Sequence, residues 1–124
     1  MSYTELCARS NFSFLEGASH PSELIERCAE VGVDHLALVD RDGVYGAVEA
    51  HKVARRCGVH LVHGSLLTVA EQPGVVLLVE DLEGWGSLCR LITHARSQAP
   101  KGHARVTTQR VAAHAAGLRC LLRP

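Results

Sequence analysis

Two unbroken apolar runs constrain the fold of this chain more than any other feature: HLALV at 35–39 and the stretch PGVVLLVED at 73–81. A strand covered on both faces reads as a continuous apolar run, without the alternation of a half-exposed one. The segments around these runs have helical spacing. In HPSELIERCAEVGVDHLALVD, Leu24, Ile25, Cys28 and Val31 recur at helical intervals. Pro21 suits a first helical turn, Glu23 and Glu26 suit its positive end, and Gly32 is a natural stop. A first strand is expected at Tyr3 to Ala8. After the run at 35–39 come a turn at Asp42-Gly43 and a helix through about Arg56, stopped by Gly58. VHLVHGSLLTV reads as a strand region broken at Gly64. LEGWGSLCRLITHARSQ is an amphipathic helix with Leu88, Leu91 and Ile92 on one face. TTQRVAAHAAG is a short helix capped by Thr107 or Thr108, and LRCLL is a last strand. This alternation predicts an α/β domain, a mostly parallel sheet with helices outside it.

A chain of 124 residues suits one domain, and 47% apolar residues with 21% charged ones can bury a core. No apolar run approaches the roughly 20 residues that span a bilayer. MSYTELCARS lacks the pattern of a secretory signal, so a cytoplasmic location is expected. Cys7, Cys28, Cys57, Cys89 and Cys120 are widely spaced, odd in number and free of any C-x-x-C pair. They read as small, largely buried hydrophobes, not as disulfides or a zinc knuckle. Charge is uneven. Residues 1–83 carry all 13 acids and six bases, a net −7; residues 84–124 carry seven bases and no acid, a net +7. Arg90, Arg96, Lys101, Arg105 and Arg110 are therefore a candidate nucleic-acid or partner surface. They are spread out, with no aromatics among them for base stacking.

In α/β folds chemistry sits on loops at the C-terminal ends of strands. Three such places are expected on one rim: Cys7 to Gly17, Asp40 to Gly43, and His63 to Leu66. They offer Cys7, Arg9 and Glu16, then Asp40, Arg41 and Asp42, then His63, Ser65 and Leu66. Two guanidiniums at close range repel a divalent cation, so the rim is poor in metal-binding character. Phe12, Phe14 and Leu15 read as apolar anchors seating the first loop. His60 and His63 are three apart in a strand and point to opposite faces. The other histidines fall in helices or at element ends. No phosphate-binding glycine loop, dinucleotide fingerprint or nucleophile elbow is present, and DRDG at 40–43 reads as a turn, not a calcium loop. Cys7 has no identifiable base to make it a nucleophile.

The stretch from LCARSNFSFLEGASHPSELIERCAEVGVDHLALVDRDGVYG to VHGSLLTV, with LLVEDLEGWGSLCRLITHAR at 77–96, resembles the polymerase-and-histidinol-phosphatase (PHP) domain. The version it resembles opens bacterial family C DNA polymerases, the alpha subunit of DNA polymerase III and its error-prone paralogue. The resemblance implies a PHP-type (β/α) distorted barrel, of which residues 1–124 would be the first half, with no polymerase domains. Metal-binding members carry H-x-H and an acidic residue after the first strand, T-D-H after the second and G-x-E after the third. The matching positions here are Cys7 and Arg9, Glu16, then Val39, Asp40 and Arg41, then Gly64, Ser65 and Leu66. The resemblance thus implies the fold with a vestigial site and no bound metal. The expected role is structural support in replication or repair synthesis, with the remainder of a polymerase, or a second copy, covering an open sheet edge. Two alternatives remain: a metal-dependent phosphoesterase or proofreading nuclease around Cys7, Glu16, Asp40 and His63, and a nucleic-acid-binding fragment using the basic C-terminal third.

Overall fold

The computed structural model describes residues 3–122, so Arg123 of the basic third lies outside the described residues. Five strands and four helices run β1 (Thr4–Ala8), α1 (Pro21–Val31), β2 (His35–Leu38), α2 (Ala47–Cys57), β3 (His60–Leu67), β4 (Val75–Val79), α3 (Leu82–Ser97), α4 (Thr108–Ala113) and β5 (Leu118–Leu122). The helix limits follow the chemistry of their ends. Pro21 opens α1, the Glu23 carboxylate accepts from the His20 N–H, and Gly32 closes the helix at φ 76°. Gly58, at φ 72°, ends α2 in the same way. Asp81 caps α3 by accepting from the Gly84 N–H, and Thr107 caps α4 by accepting from Arg110.

The five strands form one sheet in sequence order, β1-β2-β3-β4-β5. β1, β2 and β3 are parallel, as their intervening helices require. β4 and β5 are antiparallel to their neighbours, so the expected parallel sheet holds for its first half only. The loop from β3 to β4 spans only residues 68–74, too short for the crossover that a parallel neighbour needs. The expected break at Gly64 is a change of partner, not of strand. β3 runs straight through this glycine, pairing with β2 over 60–63 and with β4 over 64–67. A Cβ at Gly64 would stand 2.5 Å from the Leu77 carbonyl oxygen, so only glycine lets β4 approach there.

Three apolar clusters hold these elements. Leu36 and Leu38 pack with Ile25 of α1 and Ala50, Val53 and Ala54 of α2. Leu67, Val75 and Leu77 pack with Leu88, Leu91 and Ala95 of α3. Ala37, Val39, Leu66, Val76 and Leu78 pack together on the opposite face of the sheet. The strand alternation puts one set of side chains under the helices and the other inside the curl of the sheet, which is why these runs are apolar throughout. No helix among the described residues is long and apolar enough to cross a membrane.

Candidate functional site

The loop after β1 is fixed from within. Ser13 N–H donates to the Ser10 carbonyl at 3.0 Å, and the Ser13 carbonyl accepts from Glu16 and Gly17, each at 3.0 Å. A Cβ on Gly17 would fall 2.2 Å from the Ser10 carbonyl oxygen, so the turn closes only around glycine. Leu15 takes a left-handed conformation at φ 63°. That residue costs conformational energy where it sits, and the turn it makes aims Glu16 at the rim.

Glu16 lies between two guanidiniums. Arg41 Nε donates to both carboxylate oxygens at 3.0 Å, and its Nη2 reaches Oε1 at 2.6 Å. Arg9 Nη1 stands 3.3 Å from Oε2. The Arg41 hydrogen bonds hold the Glu16 carboxyl below the usual carboxylate range against the opposing effect of burial, with smaller help from the charges of Arg41 and Arg9. The same contact raises Arg41 above the ordinary arginine value.

Asp40, 2% exposed, is also fully engaged. It accepts from the Ser10 N–H at 2.7 Å, the Ser10 hydroxyl at 2.7 Å and the Ser13 hydroxyl at 2.8 Å. Ser13 Oγ in turn accepts from the Arg41 N–H at 2.9 Å. The next turn is locked in the same style. Asp42, at φ 51°, accepts from Thr68 N–H at 2.7 Å and Thr68 Oγ1 at 2.6 Å. Ser65 Oγ donates to the Asp40 carbonyl at 2.8 Å and accepts from the Gly43 N–H at 3.2 Å.

The structure thus brings Arg9, Glu16, Asp40 and Arg41 to one rim and leaves other candidates elsewhere. Leu66 lies inside β3, bridges to Arg41 through the backbone, and buries its side chain among Val39 and Val76. His63 is inside the same strand, not in a loop. Its ring packs edge-on to Trp85 of α3 at 5.4 Å and lies 6.1 Å from that of His51 of α2. It therefore belongs to the helix-covered face, where burial and the neighbouring His51 lower its pKa. Cys7 is exposed, and its N–H is tied to Glu5. Among the described residues no group of three or more His, Cys, Asp or Glu side chains is placed to hold a metal ion. The expected apolar anchoring is corrected too. Phe12 packs at 6.1 Å on the ring of Tyr45, but Phe14 and Leu15 are 87% and 106% exposed. Drawing Glu16 inward to the arginines turns its preceding neighbours out.

Arg96 is a strut. Its Nη2 and Nε donate to the Asp42 carbonyl at 2.8 and 3.2 Å, tying the end of α3 to the turn after β2. Arg90, Lys101, Arg105 and Arg110 are exposed, on α3, on the loop after it and on α4. Beside Arg41 a cavity of about 710 Å³ opens between Phe12, Phe14, Tyr45, Thr68, Arg96 and His103. Sequence reasoning missed Ser13, Ser65 and Thr68 as the partners of Asp40 and Asp42. These partners stand 25 to 27 residues from the acids they bind, so nothing local in the sequence signals the pairing.

A sheet of this kind, with its rim built after β1 and β2, has counterparts. Residues 5–123 match the family model for the PHP domain. An error-prone DNA polymerase of Ralstonia nicotianae is 46% identical over 121 residues, 94% of this chain and 11% of the relative. One from Anaeromyxobacter dehalogenans is 53% identical over 98 residues, 75% of this chain and 9% of the relative. One from Pseudomonas aeruginosa is 44% identical over 122 residues, 98% of this chain and 12% of the relative. The chain thus spans about a tenth of the length of these polymerases. Among solved structures, a Bifidobacterium adolescentis protein assigned to the metal-dependent phosphoesterases superposes with a TM-score of 0.63 at 19% identity, over 77% of this chain and 34% of that one. An amidohydrolase of Chromobacterium violaceum gives 0.62 at 28% identity, over 76% of this chain and 33% of the other. With the family model covering nearly every residue and the polymerase relatives agreeing along the same stretch, the chain belongs to the PHP domain family.

Proposed function

We propose that this chain is a catalytically silent PHP segment of an error-prone-type DNA polymerase, giving structural support to replication or repair synthesis in the cytoplasm. The observation that carries this reading is the Arg9–Glu16–Arg41 cluster. The resemblance aligns Glu16 with an acidic ligand of metal-binding members, and here two guanidiniums compensate its charge. Asp40, the other carboxylate on the rim, already accepts three hydrogen bonds from Ser10 and Ser13. Such a donor set does not fit a divalent centre, since an ion would have to displace both arginines and would then face their repulsion. The rim is held together by internal ion pairs and hydroxyl bonds instead.

The support role needs a surface to support. β5 has only β4 beside it among the described residues, and Leu122 is 72% exposed on that strand. An apolar groove of about 250 Å³ lies beside it, between the sheet and α4, lined by Val75, Val111, Leu118 and Cys120. The remainder of the polymerase, packing along this edge, is the partner that the relatives' greater length favours, ahead of a second copy.

Metal analysis of the purified chain after incubation with zinc or manganese, combined with a phosphoesterase assay, tests the proposal. No hydrolysis is expected with either metal, manganese should stay substoichiometric, and Glu16→Ala should leave any zinc uptake unchanged. A stoichiometric ion with hydrolysis that Glu16→Ala abolishes would establish a metal-dependent phosphoesterase instead.

A further inference from the structure

At the end of the sheet away from Glu16, β2 and β3 both open with a histidine. The parallel register sets His35 directly beside His60, and both side chains are exposed. Their ring centres are 5.2 Å apart with the planes inclined at 47°. The backbone fixes this spacing: the His60 N–H donates to the Asp34 carbonyl at 2.7 Å, joining the start of β3 to the residue before β2. Two imidazoles on one tetrahedral ion, with metal–nitrogen bonds of about 2.0–2.1 Å, have ring centres about 5 Å apart. The pair therefore stands close to chelating distance before any ion arrives, and rotation about the side-chain bonds suffices to aim both rings at one point.

We propose that His35 and His60 form a two-imidazole site for a borderline divalent transition metal of the zinc, nickel and copper class. The donor set selects the class, because imidazole nitrogen suits these ions, while magnesium and calcium require oxygen. Among the described residues no third His, Cys, Asp or Glu joins the pair, so water completes the coordination. The site is a surface chelate, not a folding centre. It is independent of the silent rim, from which it is separated by the length of the parallel strands. A second histidine pair, His51 and His63, is wider at 6.1 Å, and the His63 ring is packed against Trp85. It provides an internal control.

The test is titration of zinc chloride into the full chain, followed by calorimetry and by NMR of the imidazole rings. One ion per chain is expected, with the His35 and His60 ring signals moving first and together. His35→Ala and His60→Ala should each weaken binding tenfold or more, while His51→Ala leaves it unchanged. Magnesium at equal concentration should move neither ring. Both alanine positions are exposed, and far-UV circular dichroism verifies that the variants stay folded. The proposal is overturned by any of three results: no zinc binding at millimolar concentration, either variant binding as the parent does, or the His51 and His63 signals responding first.

Discussion

At the scale of single residues, Glu16 shows how the rim is tied together by charge. Its carboxylate is 28% exposed on the side chain, bound in a forked arrangement by Arg41 and approached by Arg9. Its carboxyl is held low, mainly by the Arg41 hydrogen bonds, so the proton is bound more tightly in the unfolded chain than in the folded one. Stability from this cluster is therefore fully present above the ordinary glutamate value of about 4.3 and lost as pH falls through the lower folded value. Glu16→Gln keeps the shape but leaves Arg9 and Arg41 uncompensated. A loss of about 0.5–1.5 kcal/mol at neutral pH is expected, with a shallower decline of stability on acidification than the parent shows. Urea unfolding at a series of pH values measures both, and parallel acid limbs would remove Glu16 as the responsible group. A different result is expected for Asp40→Ala. Ser10 and Ser13 would lose a buried acceptor common to three donors, at a cost of about 3 kcal/mol. A denaturation midpoint close to the parent's would contradict that.

At the scale of elements, much was legible because end signals are local. Pro21, Gly32, Gly58 and Thr107 act within one turn of where they stand, so the limits of α1, the end of α2 and the start of α4 could be read directly. Strand direction and loop orientation were less legible because they depend on distant partners. Gly64 looks like a strand break in isolation, yet it is the place where β3 exchanges β2 for β4. Leu66 and His63 looked like loop residues for the same reason, and Phe14 and Leu15 looked like anchors because nothing local reveals the pull of Arg41 on Glu16. The strand pattern places the rim loops at the strand ends, while the serines that hold Asp40 become visible only in three dimensions. The Gly64 reading has a consequence. Gly64→Ala would place a methyl group 2.5 Å from the Leu77 carbonyl oxygen, a backbone contact that no rotamer relieves. A loss of about 2–4 kcal/mol is expected, appearing in hydrogen exchange as earlier opening of β3 and β4. Unchanged protection of the Val75 to Val79 amides would show that β4 does not approach as closely as described.

At the scale of the whole molecule, the apolar clusters sit on both faces of the sheet, and β5 is one of its two edge strands. Cys120 and Leu122 are exposed there, and the outer backbone edge of the strand has no neighbour among the described residues. Unpaired strand edges recruit other strands, because each added pairing satisfies amides and carbonyls that water otherwise serves. The proposed partner, the rest of the polymerase, would occupy this edge in one polypeptide. Expressed by itself, the 124-residue chain should then associate with itself through β5. Sedimentation velocity over a range of concentrations should give a rising average mass. Leu122→Lys adds a charge to the outer strand and should return the sample towards the monomer without lowering its unfolding midpoint, because that side chain is 72% exposed and contributes little to the core. Adding the downstream polymerase region to the same polypeptide should suppress association in the parent as well. A parent that stays monomeric at high concentration, or a Leu122→Lys variant that associates as strongly, would mean that the β5 edge is not where this chain meets its partner.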